Sequence, residues 1–148
     1  MSTNTVINYL ESGVGYATSN RNQTEHFLAA EAIAEGAVVA LDLSQTDADR
    51  MLFIKEADAT DTCPIGVALE AVAAGAKVKV CIKGICSAKV DGSVTNIADG
   101  DALFVTSAAG VAGARTDATG ANIKPFFAVA LEDSTAAESI EVYVCKNF

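Results

Sequence analysis

Ile65-Gly66-Val67-Ala68-Leu69-Glu70, followed after a small-residue turn by Val78-Lys79-Val80-Cys81-Ile82, recurs as Phe127-Ala128-Val129-Ala130-Leu131-Glu132 followed by Ile140-Glu141-Val142-Tyr143-Val144. The offset between the copies is 62 residues. Upstream of each lies a second matching pair, Ile33-Ala34-Glu35-Gly36-Ala37-Val38-Val39 and Ile97-Ala98-Asp99-Gly100-Asp101-Ala102-Leu103. The duplicated unit is therefore most of a half-domain. A lone two-stranded hairpin cannot bury its apolar face, so two copies imply one pseudo-symmetric sheet or barrel.

Period-two alternation sets the faces of these strands. In Lys77–Lys83, Val78, Val80 and Ile82 point one way and Lys77, Lys79 and Lys83 the other. In the second copy Ile140, Val142 and Val144 match the buried set, while Glu141 and Tyr143 replace Lys79 and Cys81 outside. Further strands are expected at Val38–Leu43, Met51–Lys55, Ile65–Ala71, Ile85–Val90, Ala102–Thr106, Phe126–Asp133 and Ser139–Cys145. Asp91-Gly92, Asp99-Gly100-Asp101 and Thr119-Gly120 supply the turns between them. Short strands at this spacing indicate an all-β sandwich or barrel.

Composition agrees. The chain has 148 residues, enough for one self-sufficient domain, and is 51% apolar with no Trp and two Pro. Ala and Val dominate that fraction, so the core is expected to be built from small and β-branched side chains, which suit strands. A net charge of −9 repels phosphate backbones and anionic membrane surfaces, so neither nucleic acid nor membrane is an expected partner. Met1-Ser2-Thr3-Asn4 does not open a basic, then apolar leader, and no run reaches the length of a membrane span, so the protein is expected to be made in the cytoplasm.

Residues 1–25 are rich in Asn, Ser, Thr and Gly without periodicity and read as an extended N-terminal arm; residues 26–148 read as the β domain. His26–Ile33 has helix propensity, but its repeat partner, Ser93–Gly100, is β-branched and turn-like, so 26–30 is expected to be a strand and Glu35-Gly36 a turn.

No catalytic constellation is visible. His26 is the only imidazole, and Ser93 and Ser107 lack the strained Gly-x-Ser-x-Gly elbow of a nucleophile. Of Cys63, Cys81, Cys86 and Cys145 only Cys81 and Cys86 are close in sequence, without the second pair of a zinc cluster, so free thiols are expected. Alternation puts Cys81 on the lysine face, near Cys86 if Gly84 turns the chain. The carboxylates, Asp42, Asp47, Asp49, Asp58, Asp61, Asp91, Asp99, Asp101, Glu132 and Asp133, sit in loops without a calcium-loop pattern. Gly110-Val111-Ala112-Gly113 is not a dinucleotide fingerprint. No enzymatic activity, cofactor or metal is expected.

Two resemblances remain. Val90-Asp91-Gly92-Ser93-Val94 through Gly100-Asp101-Ala102-Leu103 is similar to the opening of biotinyl or lipoyl carrier domains, but the following Phe104–Gly110 offers no lysine to carry the arm. The second covers nearly the whole chain. Ala32, Ile33, Gly36 and Val39, then Ile65–Glu70, Gly100–Val105 and Val129–Asp133, resemble tailed-phage capsid decoration, or cement, proteins. That resemblance implies a small antiparallel β-barrel or β-tulip. It further implies a homotrimer that binds the major capsid protein on the outer surface of the phage head and stabilises the expanded shell. The arm before residue 25 is longer than the family pattern. Tyr9, Tyr16, Arg21, His26 and Phe27 are the expected capsid or subunit contacts, since aromatic and Arg side chains anchor interfaces. A carrier domain, and another virion β module such as a head spike or tail tube, are the alternative readings.

Overall fold

The computed structural model describes residues 22–46, 49, 51–61, 64–114 and 126–145. Its named elements are nine strands: β1 Gln23–Ala29, β2 Val38–Leu41, β3 Phe53–Glu56, β4 Pro64–Ala68, β5 Lys77–Asp91, β6 Ala102–Val105, β7 Ala112–Ala114, β8 Ala128–Ala130 and β9 Ala137–Val144. They form one sheet in the order β1-β3-β2-β4-β5-β7-β6-β8-β9, and β5 pairs in addition with β1 and with β9. Those two extra pairings close each half on itself. The first ring runs β1-β3-β2-β4-β5 and the second β5-β7-β6-β8-β9, with β5 common to both. The expected all-β fold with pseudo-repeated halves is present.

The repeat is kept down to single hydrogen bonds. Leu69 N donates to Lys79 O at 2.9 Å and Leu131 N to Glu141 O at 3.0 Å. In each hairpin the glutamate that ends the Leu-Glu pair then accepts the strand's backbone N–H: Lys79 N to Glu70 Oε1 and Glu141 N to Glu132 Oε2, both 2.9 Å. The recurrence of Leu-Glu thus has a structural reason, because the carboxylate replaces the next ladder carbonyl where the strands diverge. Isolated bridges Ile33 to Val72 and Ile97 to Ser134 also correspond.

Three local expectations change. Lys77–Lys83 and Ile85–Val90 are one continuous strand, with Gly84 at φ 114° in its middle. Val78, Val80 and Ile82 face the first core, whereas Cys86, Ala88 and Val90 face the second, so the even-numbered positions change core across Gly84. A positive φ is what lets the strand rotate its faces there. Next, β7 is a strand that the sequence did not advertise: Ala-Gly-Ala carries no alternation, and its place comes from pairing with β6 and β5. Finally, pairing is mostly antiparallel, but each half has one parallel contact, β1 with β3 and β5 with β7.

The helix-prone segment after Glu25 is extended, as the repeat required. Six register pairs between β1 and β5 outweigh its intrinsic propensity. Gly36, at φ 76°, makes the expected turn. β1 begins at Gln23, so Gln23–Glu25 belong to the strand and not to the arm.

Two cores result. The first holds Val39, Ile54, Ile65, Val78, Val80 and Ile82. The second holds Leu103, Val105, Phe127, Ile140, Val142 and Val144 together with Val38, Ala40, Ala57, Val67 and Cys81 from the first half. The first half therefore has two buried faces: Cys81 keeps the lysine face and the neighbouring Cys86 expected of it, but that position is inside and not outside. It is 1% exposed because the second half covers the face it shares with Lys79's side of the strand. Backbone bonds cross the same seam: Val38 N to Gly110 O at 2.9 Å, Gly110 N to Ala57 O at 2.8 Å and Lys89 N to Gly36 O at 2.8 Å.

Candidate functional site

Six of the loop carboxylates, Asp42, Asp58, Asp61, Asp91, Asp101 and Asp133, are occupied in holding turns. Asp42 Oδ1 accepts from Ser44 N at 3.0 Å and Ser44 Oγ at 2.6 Å, and its Oδ2 accepts from Gln45 Nε2 at 2.8 Å. Asp58 accepts from the backbone and hydroxyl of Thr60, and Asp91 does the same with Ser93. Asp61 Oδ2 accepts from Asp58 N at 2.9 Å while its Oδ1 lies 3.1 Å from Lys55 Nζ. Asp101 Oδ2 accepts from Ala98 N at 2.9 Å, and Asp133 Oδ1 from Asp99 N at 2.8 Å. These are side chains substituting for missing backbone acceptors in turns. Among the described residues no three His, Cys, Asp or Glu side chains converge as a metal site would require.

The turn bonds make stability pH-dependent. The Ser44 and Gln45 bonds hold Asp42 below its ordinary value of 3.8, and the Thr60 and Ser93 bonds do the same for Asp58 and Asp91. A carboxyl whose folded pKa is depressed stabilises the fold above its unfolded pKa, and that contribution is lost as pH falls through the folded value. The thermal midpoint is therefore expected to be level from about pH 5 upward and to fall below about pH 4. A midpoint that rises on acidification contradicts this assignment.

Two of the described thiols are sequestered. Cys81 and Cys86 lie in the second core, Cys145 is half-buried, and all three are free; Cys63 lies outside the described residues. The hydrogen bond to Cys81 and burial together push the Cys86 thiol well up, which keeps it protonated and unreactive. Denatured without reductant, the chain is expected to titrate as four thiols; a loss of two overturns that.

Of the expected contact residues, Tyr9, Tyr16 and Arg21 lie outside the described residues. His26 is exposed on β1, in register with Lys79. Phe27, its neighbour, is half-buried and packs on the first core, so the two side chains leave the strand on opposite faces. A surface cleft of about 350 Å³ lies beside the seam, lined by Glu35, Gly36, Ala68, Leu69, Ser87 and Ser139. That lining supplies hydroxyls and one carboxylate but no imidazole or thiol to activate them.

The features that the sequence did not single out are apolar. Leu43, Met51 and Leu52 are 66%, 69% and 49% exposed, and the bond from Asp42 N to Phe53 O joins the chain segments that carry them beyond the end of the β2–β3 pair. On the outer face of the second half, Ala102, Val129, Tyr143 and Ile85 stand side by side across four strands. Alternation marks each of these as an outward position, but only the strand pairing shows that they form one row.

The two closed rings thus use Asp42, Asp58, Asp61, Asp91 and Asp101 in turns, bury Cys81 and Cys86, and leave apolar side chains at the surface, where a binding partner can meet them. The chain belongs to the phage cement protein family, whose sequence model matches residues 18–145 and so spans both halves. That is a family of structural proteins, and it puts this chain at the capsid surface of a phage virion. A sequence search of curated proteins gave no match. Among solved structures, the N base of head fiber gp8.5 of bacteriophage phi29 is similar at TM-score 0.56 and 20% identity, over 84% of this chain and 95% of that one. A chain of the capsid of Myoviridae phage XM1 is similar at TM-score 0.59 and 20% identity, over 86% of this chain and 85% of that one.

Proposed function

We propose that this protein is a non-enzymatic clamp that binds the major capsid protein on the outside of the head as a homotrimer and stabilises the expanded shell. The observation that carries the reading is the cement-family match across both β halves. Physical chemistry supplies the mechanism. A ligand that binds one lattice state and not another lowers the free energy of the state it binds, and several linked contacts raise its residence well above that of one. A net charge of −9 suits an external position, away from the packaged genome. The residues before β1 act in this reading as the docking arm, with Tyr9, Tyr16 and Arg21 as its contacts, while His26 adds a contact from β1 and Phe27 anchors the strand in the first core.

The test is binding of purified protein to undecorated shells, followed by shell disruption under heat or chelation. Saturable binding with a raised disruption temperature is expected; no binding at any concentration overturns the reading. A second protein beginning at Asn22 keeps the whole of β1 and the Asn22 bonds to Ile85, at 3.0 Å and 2.8 Å. It is expected to fold and to bind at least about tenfold more weakly, since one buried aromatic or Arg anchor is worth that much. Equal binding removes the arm from the mechanism without touching the clamp.

A further inference from the structure

The duplication allows the two halves to be compared position by position, and one pair of equivalent surfaces differs in what covers it. In the first half, register pairing sets Val38, Val67 and Cys81 side by side on the outer face of β2, β4 and β5. All three are at most 1% exposed, because the second half of the same chain packs onto them. In the second half the same register sets Ala102, Val129 and Tyr143 side by side on β6, β8 and β9. Ile85 of β5, 43% exposed, continues that row beyond Tyr143. Ala102, Val129 and Tyr143 are only half-buried. Strand β5 runs through both rows, contributing Cys81 to the covered one and Ile85 to the uncovered one.

We propose that the row Ala102, Val129, Tyr143 and Ile85 is the face through which two copies of this chain associate. The inference rests on the reading of the protein as an oligomer and assigns its contact. Three observations converge on a second copy. The equivalent row is already buried by a unit of this fold, within the chain, so the duplicated surface is of a kind that this fold covers. The row adjoins that intramolecular interface along β5. It also carries no charged side chain in a protein of net charge −9, so two like-charged copies meet there without burying carboxylates. Neighbouring strands lie about 4.8 Å apart, so a row across four strands is about 15 Å long, the scale of an interface core. Tyr143 is the central anchor: a large ring with a hydroxyl that reaches the polar rim.

The experiment is sedimentation velocity over a concentration series with the wild type, Tyr143→Glu, Ile85→Glu, the double variant, Tyr143→Phe and Ser87→Glu. Circular dichroism and the thermal midpoint check each fold. The wild type is expected to self-associate. Tyr143→Glu is expected to raise the dissociation constant by roughly 30-fold or more, with the double variant monomeric. Tyr143→Phe retains association, and Ser87→Glu, one position along the same outer face, leaves it near the wild-type value. In the wild type, nitration at Tyr143, read by peptide mass, is expected to slow as concentration rises, which tests the face even if a glutamate variant fails to fold. A folded double variant with wild-type mass, or concentration-independent nitration of Tyr143, overturns the assignment while leaving the oligomer intact. A wild type that is monomeric both in solution and on shells overturns the oligomer and the face together. Wild-type mass with lost shell binding makes the row a capsid contact and also overturns the second copy.

Discussion

Gly66→Val is expected to prevent folding, and Gly66→Ala to lower the thermal midpoint by roughly 2–12 °C. A Cβ at position 66 would lie 2.2 Å from the carbonyl oxygen of Cys81 and 2.9 Å from Cγ1 of Val80. The first of these is backbone, so no rotamer change relieves it. β4 must instead draw away from β5 and give up the pairings of Val67 with Cys81 and of Ala68 with Val80, which join the first ring to the shared strand. The alanine cost of overpacking is about 1–3 kcal/mol, and valine adds two more carbons to the same clash. Gly75→Ala is the control. Position 75 has φ 79° but nothing within 4 Å of a new Cβ, so only backbone strain of about 1–2 kcal/mol opposes it. Denaturant or thermal unfolding of the three variants decides the matter; a Gly66→Ala midpoint equal to wild type would show that β4 and β5 do not approach so closely.

Phe127→Ala is expected to cost about 3–5 kcal/mol, or roughly 6–20 °C in midpoint. Phe127 is 1% exposed and heads the large, fully buried side chains. It sits in the second core, which is the one that takes side chains from both halves. Its N–H donates to Leu103 O at 3.1 Å and its carbonyl accepts from Cys145 N at 2.8 Å, so the backbone around it is held on both sides and is poorly placed to collapse into the cavity. The repeat supplies the comparison, since Ile65 occupies the equivalent site of the first core at 7% exposure. Ile65→Ala is expected to cost roughly 2–5 kcal/mol. Urea melts at matched conditions measure both; a Phe127→Ala loss under about 1 kcal/mol would mean that the second core does not join the halves.

Much of the scaffold was legible because duplication and alternation are one-dimensional signals. Val78, Val80 and Ile82, and their partners Ile140, Val142 and Val144, were placed inside from spacing alone, and all six are buried. The repeat also overrode helix propensity after Glu25 correctly, because two copies of one unit must adopt compatible conformations. Candidate contacts were harder. His26 and Phe27 look alike as neighbours in the chain, but one is exposed and the other feeds the first core, and alternation does not say which face of an end strand is covered. Tyr9, Tyr16 and Arg21 lie outside the described residues.

What the sequence by itself determined is the family, the all-β class, the recurrence of equivalent strands and the apolar set of residues 78–82 and 140–144. The family came from the resemblance of particular motifs, Ile65–Glu70 and Val129–Asp133 among them, whereas the class and the interiors depend on which residues share a face, and a period of two reveals that without reference to the rest of the chain. Only the tertiary structure decided that β5 is one strand shared by two rings, that Ala112–Ala114 joins the sheet, and that the outer face of the first half is a second interior. Cys81 and Tyr143 occupy equivalent positions in matching patterns, yet one is 1% exposed and the other half-buried. Alternation tells the two faces of a strand apart, but burial of the second face depends on what another part of the chain lays over it. That is a contact between residues distant in sequence, and it leaves no local period to read.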